Sequence, residues 1–143
     1  MRDQMADKID LATFNFGQRG HTDELGLRFV AQGDDWAELA FDYDPKLAMN
    51  SDIGILASGP IISLIDTVSG AAIIARNNRF RPMATLDLRI DYMRAATPGR
   101  SINARATCYR VARNIAFVRC EAHDGDPDDP VASAMASFFF TAD

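Results

Sequence analysis

The sequence predicts a single α+β domain that combines a six-stranded, mostly antiparallel sheet with one buried helix. Three observations predict this class. The chain has 143 residues, a length that suits one hydrophobic core. Apolar residues recur with helical spacing in one long segment near the middle of the chain. Six other segments alternate apolar and polar residues, as half-buried strands do, so the element order is β-β-α-β-β-β-β.

The chain before the sheet, residues 1–24, is interpreted as a mobile N-terminal lead-in with a short helix over residues 7–14. The domain itself is expected over residues 25–143. Its first two strands are predicted over residues 25–30 and 36–43. A short polar turn containing Gly joins them, so they should pair as a hairpin.

The only long helix is predicted over residues 58–77. Ser58 or Gly59 is suited to cap its free N–H groups, and Pro60 suits the first helical position. Apolar residues occupy most of the helix circumference, and they include Ile61, Ile62, Leu64, Ile65, Val68, Ala71, Ala72 and Ala75. Nearly all sides of this helix should therefore be buried.

Four strands are predicted after the helix, over residues 83–93, 101–112, 115–123 and 131–141. The alternation in the first of these strands predicts two faces, one with Leu86, Leu88, Ile90 and Tyr92 and the other with Thr85, Asp87, Arg89 and Asp91.

Composition and charge exclude several functional classes. The chain is 48% hydrophobic and 24% charged, which is ordinary for a globular domain and excludes disordered or collagen-like chains. Its 15 basic and 20 acidic residues give a net charge of 15 − 20 = −5. An acidic protein of this kind is not expected to bind nucleic acid or a membrane surface. With only 2 His and 2 Cys, few residues remain for zinc sites or catalytic triads.

The sequence also predicts a cytoplasmic protein without a metal or cofactor. The N-terminus lacks the apolar run of a secretory signal, and the longest apolar stretch, residues 60–75, is short for a membrane span. Cys108 and Cys120 are spaced for neither a metal site nor a redox motif. They are expected to be reduced packing residues.

Asp66 does not fit its apolar surroundings. It lies about two turns into the predicted helix, beyond the reach of the N-terminal dipole, and burial of an ionised carboxylate is unfavourable without partners. Two interpretations follow. Asp66 is either a site carboxylate or part of a solvated stripe, because Ser63, Asp66, Thr67 and Gly70 share one narrow face of the helix.

Two motifs resemble a known family. Residues 57–67, Ala-Ser-Gly-Pro-Ile-Ile-Ser-Leu-Ile-Asp-Thr, are similar to the helix motif of hotdog-fold acyl-CoA thioesterases of the PaaI type. Residues 84–96, Ala-Thr-Leu-Asp-Leu-Arg-Ile-Asp-Tyr-Met-Arg-Ala-Ala, are similar to the strand that follows it in that family. The similarity extends over about residues 45 to 140, in the same element order. It implies a hotdog fold, with the sheet wrapped around the central helix and protomers paired as at least a dimer.

The resemblance implies a catalytic role for four residues and an acyl-CoA substrate. Asp66 would deprotonate a water or attack the thioester carbonyl itself. The N–H of Gly59, together with that of Ser58, would bind the thioester oxygen at the helix N-terminus. Thr85 would supply a hydroxyl to Asp66 across the dimer interface, and Asn50 would orient the water or the acyl group.

Further residues are expected to support the carboxylate or bind CoA. Thr67 is a possible donor to Asp66. Arg79 and Arg81, which follow the helix, and Arg94, which follows the next strand, are candidates for the CoA phosphates. The alternative for each Arg is a solvated surface cation.

One departure from the family motif leaves alternatives open. The family has His-Gly-Gly where this chain has Ala57-Ser58-Gly59, and neither His21 nor His123 is near in sequence. A hotdog protein that binds acyl-CoA without hydrolysis is therefore an alternative, and a dimeric domain that binds a partner protein is another. The sequence does not specify the acyl group.

Overall fold

A single long helix lies against a six-stranded sheet in the computed structural model, which describes residues 7–17 and 20–143. The helices are α1 (His21–Leu25) and α2 (Ser58–Asn77), with 3-10 turns at Leu11–Thr13 and Pro45–Leu47. The strands are β1 (Arg28–Gln32), β2 (Trp36–Phe41), β3 (Met83–Tyr92), β4 (Ile102–Val111), β5 (Ile115–His123) and β6 (Ala132–Phe140).

The sheet has the order β1-β2-β4-β5-β6-β3, and every neighbouring pair is antiparallel. This confirms the predicted α+β class with one central helix. Strands β1 and β3 form the two edges. Helix α2 connects β2, next to one edge of the sheet, with β3, which forms the opposite edge and pairs with β6.

The core lies between α2 and the inner face of the sheet. Ten residues of α2 are buried. The facing positions on β4, β5 and β6 are largely alanine, namely Ala104, Ala106, Ala116, Ala122, Ala132, Ala134 and Ala136. Small side chains at these positions let the sheet approach the helix closely. By length and composition alone α2 could cross a membrane, yet 56% of its most apolar segment is buried inside the protein.

The start of α2 differs from the prediction. Its N-cap is Ala57, which has no side-chain capping hydrogen bond, and Pro60 is the third helical residue rather than the first. Since the Ala57 N–H donates to the carbonyl of Leu47 at 2.9 Å, the chain enters the helix from an ordered loop. The C-terminal end is as predicted, with Asn78 in a left-handed conformation (φ 53°).

Strand β3 contains a bulge that alters the predicted alternation. Thr85 is opposite Phe138 and Asp87 is opposite Ser137, so Leu86 is the extra residue. Cross-strand partners share a face, and Phe138 is buried on the inner face while Ser137 lies on the outer face. The bulge therefore places Thr85 on the inner face and Asp87 on the outer face, whereas the alternation predicted both on one face.

The N-terminal segment packs on the domain more closely than predicted. Leu11 is fully buried in the same core. Its N–H donates to Oε1 of Gln32 at 2.7 Å, and the N–H of Ile9 donates to Oδ1 of Asn78 at 2.7 Å. The predicted helix over residues 7–14 is one 3-10 turn, and part of the predicted lead-in, residues 1–6, 18 and 19, lies outside the described residues.

Candidate active site

Asp66 lies half-buried on α2 and is hydrogen-bonded to Thr85. The Thr85 hydroxyl on β3 donates to Oδ1 of Asp66 at 2.7 Å. The other carboxylate oxygen, Oδ2, accepts no hydrogen bond from any residue that the structure describes. Asp66 thus has one oxygen fixed by the protein and one oxygen available to a water or a substrate. This bond forms within one chain, which corrects the expectation that Thr85 reaches Asp66 across a dimer interface.

The N-terminus of α2 presents two unpaired N–H groups. Side chains do not cap it, Pro60 has no N–H, and the N–H groups of Ser58 and Gly59 find no acceptor among the described residues. Both residues are exposed. A Cβ atom added at Gly59 would meet nothing within 4 Å, so the space in front of this residue is open. The helix dipole adds positive potential at the same place.

An apolar groove of about 400 Å³ adjoins this helix end. Ala57 and Ser58 form one wall, and Arg94 also lines the groove. Most of the remaining lining is apolar, including Met49, Ile55, Ile61, Met93 and Val131. Tyr92 also lines the groove and donates a long hydrogen bond, 3.5 Å, to the carbonyl of Ser58. Partial burial raises the pKa of the Tyr92 phenol, so the phenol stays a neutral donor at physiological pH. The groove can accept an apolar chain whose polar end reaches the free N–H groups.

Asn50 is engaged in a turn rather than directed at Asp66. Its Oδ1 accepts hydrogen bonds from the N–H groups of Asp52 and Ile53, at 3.1 and 2.9 Å. Such Asx turns are typical of Asn in short loops. Thr67, the other predicted neighbour, has no side-chain hydrogen bond within the described part of the chain. Thr85 is the residue that donates to Asp66.

Arg94 is held by acidic residues of the β5–β6 loop. Its guanidinium donates to both carboxylate oxygens of Asp124, at 3.0 and 2.6 Å, and it pairs with Asp129 at 3.2 Å. The hydrogen bond to Asp124 raises the pKa of Arg94 further above its usual range, and the reciprocal bond lowers the pKa of Asp124. Two carboxylates therefore already hold the guanidinium of Arg94 beside the groove. Binding of a CoA phosphate by Arg94 stays a prediction.

Arg79 and Arg81 follow the C-terminal end of α2, which is the end opposite Gly59. Arg81 stacks over the ring of Phe140, 3.9 Å from its centroid, and lies 3.8 Å from the carboxylate of Asp143. Arg79 is exposed, and no described residue pairs with it. The structure therefore does not bring these two cations together with the helix N-terminus within one protomer.

One neighbour of the site, His21, was not indicated by any sequence pattern. Its Nε2 lies 2.8 Å from Oγ of Ser63, which precedes Asp66 by three residues on α2. The two residues are 42 positions apart in sequence, and the contact depends on α1, an element that the sequence pattern did not predict. The other histidine, His123, lines a cavity of about 460 Å³ on the outer face of the sheet. None of the predicted site residues lines that cavity.

The described residues contain no group of three or more His, Cys, Asp or Glu that could hold a metal ion. Both cysteines are buried and unpaired. Burial raises the pKa of each thiol, so neither is a ready nucleophile.

Comparisons with known proteins agree with this fold. A relative from Salmonella typhimurium, the medium/long-chain acyl-CoA thioesterase YigI, is 30% identical over 129 residues, which cover 80% of this chain and 81% of the relative. A solved structure from Pseudomonas aeruginosa is 34% identical with a TM-score of 0.76, covering 83% of this chain and 88% of that chain.

The PaaI protein of Escherichia coli superposes with a TM-score of 0.73 at 16% identity, covering 84% of this chain and 83% of that chain, which shows a shared fold. The model of the thioesterase superfamily matches residues 53–131, a span that includes both motifs of the sequence analysis. The resemblance drawn from those motifs is thereby confirmed: this chain is a hotdog-fold thioesterase of the PaaI type and belongs to the thioesterase superfamily.

Proposed function

We propose that this protein hydrolyses the thioester bond of an acyl-CoA whose acyl group is a medium or long apolar chain. The observation that carries the proposal is the half-buried carboxylate of Asp66, oriented by Thr85 at 2.7 Å, on the same helix as two free N–H groups. Relatives that are named as medium/long-chain acyl-CoA thioesterases support the substrate class, and so does the apolar groove beside the N–H groups.

The N–H groups of Ser58 and Gly59 act as the oxyanion site in this proposal. They bind the thioester oxygen as it gains negative charge in the tetrahedral intermediate, and the helix dipole stabilises the same charge. The missing side chain of Gly59 is consistent with this role. Neither a positive φ nor a close neighbour in this chain requires glycine there, so the open space is available to a substrate.

Asp66 supplies the base or the nucleophile. As a base, it takes a proton from water while the resulting hydroxide adds to the thioester carbon and the C–S bond breaks. As a nucleophile, its free oxygen adds to that carbon, and the C–S bond breaks to release the CoA thiolate and leave a mixed anhydride. Water then hydrolyses the anhydride and restores the carboxylate. Acid-quenched intact-mass analysis separates the two routes, since only the second leaves an acyl group on the protein.

The distance between the two halves of the site supports a homodimer. Gly59 and Asp66 are seven residues apart on one helix, about 10 Å along its axis, and a single thioester carbon cannot lie about 3 Å from both. We therefore propose that Gly59 of one protomer and Asp66 of the partner subunit act on the same thioester. The unpaired edge strand β3, with Leu86 58% exposed and Met93 beyond its end 59% exposed, is the surface that a second copy would cover.

Sedimentation at the assay concentration tests this arrangement, and a monomer that retains full activity would contradict it. We propose further that the enzyme works in the cytoplasm without a metal or cofactor, a location consistent with its two free thiols.

The decisive experiment measures release of free CoA from a panel of straight-chain and aryl acyl-CoA esters. The Asp66→Asn variant should lose at least 100-fold in kcat if the carboxylate acts as general base or nucleophile. Asp42→Asn is the matched control, because the exposed Asp42 also accepts a hydroxyl hydrogen bond, from Ser101 at 3.0 Å, but lies beside the other edge of the sheet. Full activity of Asp66→Asn would refute the catalytic assignment.

The alternative, an acyl-CoA binding protein without turnover, has one observation in its favour. Ala57 occupies the position at which the family motif has histidine. That alternative predicts saturable binding of the same esters with no release of CoA by the wild-type protein, so the panel experiment distinguishes the two functions.

A further inference from the structure

The contact between His21 and Ser63 brings an imidazole to the helix face that carries Asp66. His21 Nε2 lies 2.8 Å from Ser63 Oγ, and Ser63 is half-buried, as Asp66 is. On an α-helix, residues i and i+3 lie on one face with their Cβ atoms about 5 to 6 Å apart. The hydroxyl of Ser63 and the carboxylate of Asp66 are therefore neighbours, and His21 touches the first of them.

The element that carries His21 is fixed on the domain. Helix α1 is flanked by Gly20 and Gly26, whose positive φ values, 69° and 67°, suit glycine. The N–H of Gly26 donates to the carbonyl of Asp23 at 2.9 Å. Leu25 and Leu27 are both buried in the core. Burial of these two leucines holds α1 in place, and with it the start of the helix at His21.

The spacing of Ser63 and Asp66 suits a bridging water. A water that makes two hydrogen bonds of about 2.8 Å can join oxygen atoms up to about 5.6 Å apart. A hydroxyl and a carboxylate oxygen on neighbouring residues of one helix face can lie within that distance. Thr85 already occupies Oδ1 of Asp66, so Oδ2 is the oxygen available to such a water. The ring nitrogen of His21 uses one hydrogen-bonding position of the Ser63 hydroxyl. This bond fixes the orientation of the hydroxyl.

We propose that His21 and Ser63 form a positioning pair of the active site, in which His21 orients the Ser63 hydroxyl and Ser63 holds the attacking water against Asp66. The inference rests on the proposed thioester hydrolysis. In the step itself, Asp66 accepts one proton from the water, the hydroxide forms a bond to the thioester carbon, and the C–S bond breaks to release the thiolate. His21 and Ser63 exchange no atoms or electrons with the substrate.

The pair also supplies an imidazole to a site that lacks one at its helix cap. Ala57 precedes α2, and the sequence has only 2 His. Since His123 accepts a hydrogen bond from the N–H of Gly125 at 3.1 Å and lines the cavity on the outer face, His21 is the histidine that lies beside α2.

The test compares His21→Ala, Ser63→Ala and the double variant with the wild-type protein, in the panel assay described above. We expect each single variant to lower kcat by about 10- to 100-fold, as loss of positioning does, with little change in KM. The double variant should be no worse than either single variant, because the two residues act as one unit. His21→Gln, whose amide can still donate to Ser63, should recover part of the rate.

His123→Ala is the matched control, since it removes the other histidine and a hydrogen bond of similar length. Its kcat should equal that of the wild type. Wild-type kcat in both His21→Ala and Ser63→Ala, or additive losses in the double variant, would overturn the inference while the proposed function stands. A wild-type protein that hydrolyses none of the esters would instead refute the proposed function, and the inference with it.

A spectroscopic readout tests the placement of His21 without turnover. The two imidazoles give two sets of NMR signals, which the two alanine variants assign. A non-hydrolysable thioether analogue of an acyl-CoA should shift the His21 signals and leave the His123 signals unchanged. Saturable binding of the analogue without a shift at His21 would overturn the inference even where a His21 variant is unstable.

Discussion

The Thr85 hydroxyl donates a 2.7 Å hydrogen bond to Oδ1 of Asp66, and the bulge at Leu86 is what lets it do so. In a regular strand Thr85 would share the face of Asp87, which points away from α2. The extra residue reverses the orientation of Thr85 relative to the rest of β3 and directs it at the helix. Bulges often have this effect beside active sites.

Thr85→Val removes the hydroxyl while keeping the shape and strand preference of the side chain. We expect kcat to fall by about tenfold or more, since a hydrogen bond to a charged group contributes about 1.5 to 3 kcal/mol and 1.4 kcal/mol corresponds to tenfold. Thr85→Ser keeps the donor and should retain most of the activity. Wild-type kcat in Thr85→Val would contradict the role of the hydrogen bond, and a loss in Thr85→Ser alone would show that packing of the methyl group matters instead.

Gly59→Ala separates catalysis from stability. An added Cβ meets no atom within 4 Å beyond its own turn of helix, and Gly59 does not need a positive φ. Alanine should therefore leave the free energy of unfolding unchanged or raise it by up to about 1 kcal/mol. The methyl group occupies the space in front of the free N–H, so kcat/KM should fall by at least about tenfold. Thermal unfolding and the CoA-release assay measure the two effects, and unchanged kcat/KM would contradict the oxyanion assignment.

Asp124 should make stability depend on pH. Its side chain is only 2% exposed, and the hydrogen bonds from Arg94 hold its pKa below the ordinary value. A carboxyl whose pKa is lower in the folded state contributes stability above its unfolded pKa, about 3.9, and that contribution is lost as the pH falls below about 5. Asp124→Asn leaves Arg94 without this partner and should lower the Tm at pH 7 by roughly 5 to 10 °C.

The difference in Tm between the wild type and Asp124→Asn should become smaller as the pH falls. Between about pH 5 and pH 2 the wild-type Tm loses the contribution of Asp124, while the Asn variant has no such contribution to lose. Thermal unfolding of both proteins across this range is the measurement. A constant difference in Tm down to pH 2 would show that the ion pair does not cause the difference.

Arg79 is the one predicted CoA-binding cation that lacks a partner among the described residues. If it binds the phosphates of CoA, Arg79→Ala should raise KM for an acyl-CoA several-fold and leave KM unchanged for the same acyl group on pantetheine, which lacks the nucleotide. Arg28→Ala, an exposed Arg on β1 at the other edge of the sheet, is the control. An equal change in KM for both substrates would show that Arg79 does not bind the phosphates of CoA.

The sequence by itself determined the element order, the long helix and the location of the unusual carboxylate. These features depend on local patterns: the apolar spacing that predicted the helix over residues 58–77, the alternation that predicted each strand, and a charged residue within an apolar run. Such signals lie within a few residues of one another. The two motifs were also local, and they were enough to identify the family.

The tertiary structure alone decided which side chains meet. The bulge at Leu86 depends on the pairing of β3 with β6, which begins about 50 residues later in the chain, and it turned Thr85 towards Asp66. The contact of His21 with Ser63 joins residues 42 positions apart, and the ion pair of Arg94 with Asp124 joins residues 30 positions apart. A local pattern cannot encode such contacts, because packing of distant segments sets them.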